Sequence, residues 1–164
     1  MHKILLAWVI LSVPAILQAS TVQTALSSAQ VRGEAIFRVF GLPIYEARLY
    51  TEDGAALDWN KDFGIELNYL RDLTERDLVD STLKEFERTG RPLPVREQLT
   101  GCFKDVSKGD QYLAVSSGED QIGFWHNGVR VCTLRHPRIK QRFMAIFVGD
   151  NTRSSAFTRK LKGE

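Results

Sequence analysis

From Phe63 to Leu70 the chain alternates. Ile65, Leu67 and Tyr69 fall on one side of an extended segment and Glu66 and Asn68 on the other, as a sheet with one dry face requires. Upstream, Gly33 to Tyr50 places Ile36, Phe37, Val39 and Phe40 before Gly41-Leu42-Pro43, and Ile44, Tyr45, Leu49 and Tyr50 after it. These residue types suit a pleated surface. Gly41 gives the bend a permissive backbone, and Pro43 opens the returning strand where a missing N–H costs least, so a hairpin is predicted. The period then changes to helical. Thr74 opens a helix with Asp77 at the capping-box position, a stripe of Val79, Leu83 and Phe86 with Leu78 beside it, a charged opposite face and a stop at Gly90.

A second helix is predicted from Pro94 through Phe103, with Val95, Leu99, Cys102 and Phe103 on one stripe. Strands return over Gln111–Ser116, Gln121–His126 and Val129–Leu134, turned by Ser117-Gly118-Glu119-Asp120 and by Asn127-Gly128, a strong two-residue hairpin signal. His136-Pro137 leads a helix with Ile139, Phe143, Ile146 and Phe147 on one side, and Ser154 or Ser155 caps a last short helix holding Phe157 and Leu161. Ser20 to Val31 is small and polar, and reads as an unanchored lead-in or a poorly ordered strand. Strands, helices, strands, helices in that order predict an α+β domain with an antiparallel sheet and helices stacked on one face.

The N-terminus stands apart from this pattern. His2-Lys3 is basic, Ile4 to Leu17 is apolar apart from Ser12 and Pro14, and Leu17-Gln18-Ala19 offers a small residue for cleavage. Residues 1–19 are therefore expected to be a signal peptide cut after Ala19, since the apolar run is short for a permanent crossing of a ~30 Å hydrocarbon layer. The expected location is periplasmic or secreted. Residues 20–164 suit one domain with no transmembrane segment. Net charge falls from +2 to +1 without Lys3, which gives no concentrated basic face for nucleic acid. Export permits a disulfide between Cys102 and Cys132, but spacing alone leaves the pair open between a bond and two free thiols.

Several constellations fail on inspection. Asp58-Trp59-Asn60-Lys61-Asp62 mimics the start of a calcium loop, yet Phe63 holds the obligatory Gly position and Tyr69 the place of the bidentate acid. His126 and His136 lack companion ligands and read as surface residues. Ser116-Ser117-Gly118 is turn chemistry, because a nucleophile elbow needs a strand running into a helix. Neither a metal nor a cofactor is expected.

The hairpin over Gly33–Tyr50 resembles the opening of the chalcone isomerase family, especially the G-x-K-V-Y-A-x-G-x-Y run of its fatty-acid-binding and non-catalytic branches. Leu67 to Thr74 is similar to the family's passage into its active-site helix. Asp105 to Asp110 resembles its D-V-x-x-G-D turn, Phe124 with Asn127-Gly128 its F-x-x-N-G hairpin, and Ala145 to Asn151 with the final helix its closing pair. The resemblance implies an open-faced sandwich, a large antiparallel sheet with a layer of helices on one face and a hydrophobic cleft between.

Isomerases of that family stabilise a phenolate and a developing enolate with an Arg on the first hairpin strand, a Thr on the second, a Tyr near the start of the active-site helix and a Lys before it. The matching positions here are Ala35, Tyr45, Leu78 and Arg71. Losing one preorganised donor typically costs ~10²–10³ in rate, so the resemblance implies scaffold without isomerase catalysis. Arg38 offers no rescue, since an odd offset from Ala35 points it to the opposite face of the strand. The fatty-acid grip of the family uses the same Arg and Tyr. What the resemblance then implies is a greasy cleft with Tyr45, Arg71, Ala35 and Leu78 at its ligand-binding positions, favouring an apolar small molecule or lipid. Two alternatives are an isomerase or lyase with an altered site built on Tyr45 and Arg71, and a protein-interaction module docking through exposed Trp59 or Trp125.

Overall fold

The computed structural model of the protein describes residues 20–164, so the signal peptide expected over residues 1–19 lies outside the described residues. Six strands form one sheet in chain order: β1 (Ala29–Val39), β2 (Leu42–Glu52), β3 (Gly64–Tyr69), β4 (Gln111–Ser116), β5 (Gln121–His126) and β6 (Val129–Arg135). Every neighbouring pair is antiparallel. Helices α2 (Glu75–Thr89) and α3 (Arg96–Cys102) are inserted between β3 and β4, and α4 (Ile139–Val148) and α5 (Ser155–Leu161) follow β6. The result is the α+β domain with an antiparallel sheet that the order of elements predicts, arranged as the open-faced sandwich that the resemblance implies.

Local chemistry accounts for the boundaries. At the β1–β2 turn Phe40 and Gly41 take φ of 49° and 79°, and at the β5–β6 turn Asn127 and Gly128 take 47° and 81°. Two left-handed residues in succession match the twist of paired strands. Gly41, Asn127 and Gly128 adopt that conformation readily, whereas Phe40 does so against steric resistance and holds its ring fully in solvent. The capping box of α2 forms as read: Asp77 donates its amide to Thr74 Oγ1 at 3.1 Å, and the Thr74 amide reaches Asp77 Oδ2 at 2.9 Å. At the other end of α2, Arg142 of α4 donates through Nη2 to the carbonyls of Phe86 and Arg91 at 2.8 and 2.7 Å. Those acceptors would otherwise be left over at a helix terminus.

One face of the sheet and the four later helices enclose the core. Val79, Phe86, Leu99, Ile139, Phe143 and Phe147 pack there against Leu49, Ile65, Ile122, Phe124 and Leu134. Burial at ~25 cal/mol per Å² of apolar surface makes this the principal stabilising layer. Helices α3, α4 and α5 lie directly on strands, while α2 packs chiefly on α3 and α4. The space beneath α2 is where the layers fail to close.

The reading of Ser20–Val31 as a loose lead-in is corrected by the structure. Thr21–Ala25 forms a short helix, α1, and β1 already begins at Ala29. Val22 and Ala29 bury with Leu113 and Val115 on the opposite face of the sheet, with Tyr50 and Trp125 beside them. The physical reason lies in β4, whose run Tyr112-Leu113-Ala114-Val115 is apolar on both faces and so needs a cover on each side.

Two long-range ties complete the fold. Cys102 at the end of α3 and Cys132 in β6 are joined in a disulfide with Cα atoms 5.2 Å apart, which closes the question the sequence left open. The C-terminus of α5 comes back onto β1. A Cβ on Gly33 would lie 2.5 Å from the carbonyl oxygens of Leu161 and Lys160, so only glycine permits the approach. Arg32 Nε donates to the Lys162 carbonyl at 2.9 Å beside it.

Candidate functional site

Between α2 and the sheet lies a cavity of about 520 Å³, within the range of small-molecule sites. Strand parity supplies its floor: Tyr45 from β2, Ile65, Leu67 and Tyr69 from β3, Tyr112 and Ala114 from β4 and Phe124 from β5 all point to the helical side. Leu78 of α2, Phe143, Ile146 and Phe147 of α4 and Phe157 of α5 make the roof and one end. Tyr45 sits at the centre of an aromatic cluster. It stacks on Phe37 at 5.1 Å and meets Tyr69, Phe147 and Phe157 edge-on at 6.1–6.3 Å. Such pairs contribute ~0.5–1.5 kcal/mol each beyond their burial and hold the floor rigid.

Polar groups on this floor are few and differ in their commitments. The Tyr112 hydroxyl is used up, accepting from the Lys104 amide at 3.0 Å and donating to the Cys102 carbonyl at 3.2 Å. The hydroxyls of Tyr45 and Tyr69 make no hydrogen bond among the described residues, and both side chains line the cavity. Burial drives the Tyr45 phenol far above its ordinary range. The neighbouring Tyr69 and Glu85 add to the rise, and Arg153 opposes it. Burial, and then Tyr112, raise Tyr69 in the same way. Both are therefore neutral hydrogen-bond donors at physiological pH, and neither is a base.

The rim is charged. Glu85 of α2 is only 8 % exposed at its side chain, and its two carboxylate oxygens are divided between two guanidiniums. Arg88 reaches Oε2 through Nε at 3.0 Å and Nη2 at 2.7 Å, and also bonds the Asn151 carbonyl at 2.7 Å and its side-chain oxygen at 3.4 Å. Arg153, on the connection between α4 and α5, donates to Oε1 through Nε. Burial alone would raise the Glu85 carboxyl, but hydrogen bonds from Arg88 and Arg153 outweigh it and hold the group below the usual carboxylate range. Lys84, Asp77, Ser81, Thr152 and Ser154 complete the polar rim.

Of the four residues expected at the site, the structure brings Tyr45 and Leu78 together on the cavity wall. Ala35 lies outside the lining, buried at 7 % exposure in the packed core. Arg71 is exposed and follows Leu70, whose amide bonds the Ile44 carbonyl at 2.9 Å. Three residues escaped the sequence reading: Tyr69, Glu85 and Arg153. Glu85 had a signal, for it follows Leu78 by seven residues and so shares its helix face. Arg153 lies in a connection where no periodicity operates.

The surface features named from sequence also shift. Trp59 is half-buried against Phe63 at 5.3 Å, and Trp125 is half-buried beside the α1 cluster under the Arg130 guanidinium at 4.9 Å, so neither marks an exposed docking surface. His126 is no surface residue. It shares the inner parity of Ile122 and Phe124, stacks on Tyr112 at 4.7 Å and buries Nε2 without a hydrogen-bond partner, 3.9 Å from the Asp110 carboxylate. Asp58 turns its own loop by accepting from the Asn60 amide at 2.9 Å. Among the described residues no group of three or more His, Cys, Asp or Glu is placed to hold a metal ion, and no helix is long and apolar enough to cross a membrane.

No protein-family model matches this sequence, and no curated protein does. The three-dimensional comparison is different. The structure is similar to the crystal structure of the fatty-acid binding protein AtFAP1 of Arabidopsis thaliana, with a TM-score of 0.64 over 84% of this chain and 88% of that chain, at 10% sequence identity. The fold is thus chalcone isomerase-like.

Proposed function

We propose that the protein is a non-catalytic carrier that holds an apolar small molecule, of the lipid or fatty-acyl class, between its sheet and its helices. The observation that carries this reading is the unfilled apolar space under α2, beside a core of buried side chains. A native interior normally fills such volume with side chains. The fold it shares with a fatty-acid binding protein adds support. Each methylene moved from water into the cavity is worth ~0.8 kcal/mol, so a long chain reaches micromolar affinity, about −8 kcal/mol, without any demanding polar contact.

The isomerase or lyase alternative draws no support from the site geometry. The hairpin-strand position of the family's cation is Ala35, packed in the core, and Arg71, on which that alternative was built, is exposed and lies outside the cavity lining. Export to an oxidising compartment belongs to the proposed reading, and the Cys102–Cys132 bond supports it.

Calorimetric titration with a panel of long-chain acyl and aromatic compounds tests the function. Micromolar or tighter binding of an acyl chain is expected. Leu78→Trp, which fills the space from the roof, should weaken it at least tenfold while the fold remains intact by circular dichroism. Absence of heat across the whole panel would overturn the carrier reading.

A further inference from the structure

The rim of the cavity carries a charge imbalance that the apolar floor does not explain. Glu85 and Asp77 contribute two negative charges, the latter already bonded to Thr74, and Arg88, Arg153 and Lys84 contribute three positive ones. Arg88 has four of its five N–H groups engaged by Glu85 and Asn151, and it does not line the cavity. Arg153 does face it. Its Nε is committed to Glu85, while its two terminal nitrogens make no hydrogen bond among the described residues. Its side chain is 54 % exposed, and Lys84 lines the same rim. The Tyr45 hydroxyl, a donor without a protein acceptor, stands within electrostatic reach of both Glu85 and Arg153. Every uncommitted polar hydrogen named here lacks an acceptor, and the surplus charge is positive.

We infer that this rim is a head-group site, in which the terminal nitrogens of Arg153, assisted by Lys84 and the Tyr45 hydroxyl, bind the anionic end of an amphiphile whose tail fills the cavity. The inference rests on the carrier reading and sharpens it: the ligand is an anionic amphiphile, not merely an apolar molecule. A planar guanidinium with two parallel donors fits a carboxylate, and equally a phosphate monoester or a sulfate. Glu85 has a defined part in this. It anchors Arg153 through Nε, orients the free edge of the guanidinium toward the opening and cancels one of the two guanidinium charges. The anion is therefore held by one net charge rather than two, which leaves the complex reversible. The cation has no counterpart on the first hairpin strand, where Ala35 stands; it arrives from the α4–α5 connection.

The test compares tails of one length with different heads. Hexadecanoate, hexadecyl phosphate and hexadecan-1-ol are titrated below their aggregation concentrations into the protein and into Arg153→Gln and Glu85→Gln. Acetate and inorganic phosphate serve as heads without tails. The expected result is at least tenfold tighter binding of one or both anionic chains than of the alcohol. Arg153→Gln should abolish that preference by weakening the anionic chains far more than hexadecan-1-ol, and Glu85→Gln should enlarge it, because the offsetting charge is gone while Gln Oε1 still accepts from Arg153 Nε. Acetate and phosphate alone should bind at least a hundredfold more weakly, since each methylene contributes. Equal binding of the alcohol and both anions would overturn the head-group site while leaving the carrier reading standing. A preference that survives in Arg153→Gln would overturn the assignment to Arg153. Tight binding of phosphate without a tail would replace the amphiphile by a free anion. Failure of every chain to bind would remove both readings. If Arg153→Gln does not fold, Glu85→Gln decides alone, and an unchanged preference there overturns the inference.

Discussion

Glu85 is an acid set into an apolar wall, and its two guanidinium partners decide how it behaves. The charged and titratable groups that face it are Arg88 from its own helix, Arg153 from the α4–α5 connection and Tyr45 from β2. Because the native carboxyl is held below the value it has in the unfolded chain, the unfolded state binds the proton more readily. The stability it contributes is therefore complete above about pH 4.3, the ordinary Glu value, and is lost as the pH falls through the lower native value. Glu85→Gln should cost about 1–3 kcal/mol at neutral pH, below the range for fully buried pairs because both guanidiniums are partly solvated. Urea denaturation across a pH series checks this. Wild type and variant should converge in acid, and a gap that stays constant would mean that Glu85 acts only through packing. At this scale the sequence was half legible. Tyr45 and Leu78 were placed at the site by the family resemblance, and Glu85 could have been from its heptad spacing with Leu78. Arg153 could not, because its position depends on where a loop crosses α2 in space.

Elements were far more legible than side chains, for reasons visible in each. The helix at Glu75–Thr89 announces itself with a capping box, an apolar stripe and a terminal glycine, three signals that agree. The turns at Gly41 and Asn127-Gly128 specify their own backbone. Helix α1 was missed because five residues are too few to show a period, and its stability comes from β4 beneath it. The contact between α5 and β1 was equally hidden. A glycine inside a strand reads as a weak point until the backbone that approaches it is known. Gly33→Ala tests that contact. Its Cβ would press on two carbonyl oxygens that belong to backbone and have no rotamer to escape into, so the variant should lose about 1–3 kcal/mol, measured as a lowered urea midpoint. An unchanged midpoint would show that α5 gives way freely.

For the molecule as a whole, the disulfide ties the helical layer to the sheet at the side away from the β1–β2 hairpin. Closing a loop between residues 102 and 132 stabilises by about 3–4 kcal/mol in the chain-entropy account. Replacing both cysteines by alanine should lower the melting temperature by roughly 10 °C or more for a domain this size. A double variant that melts with wild type would show that the unfolded chain is already constrained there. The other tie has a consequence of a different kind. Gly33 and Arg32 near the start of the domain are fastened by Leu161 and Lys162 at its end, across 130 positions for the Arg32–Lys162 bond. A growing chain can pair β1 with β2 early, but it cannot seat the element that covers β1 until its last turn has emerged. Contacts of such long range are slow to form. Until residues 155–163 have been made and seated, β1 therefore keeps the surface around Gly33 uncovered.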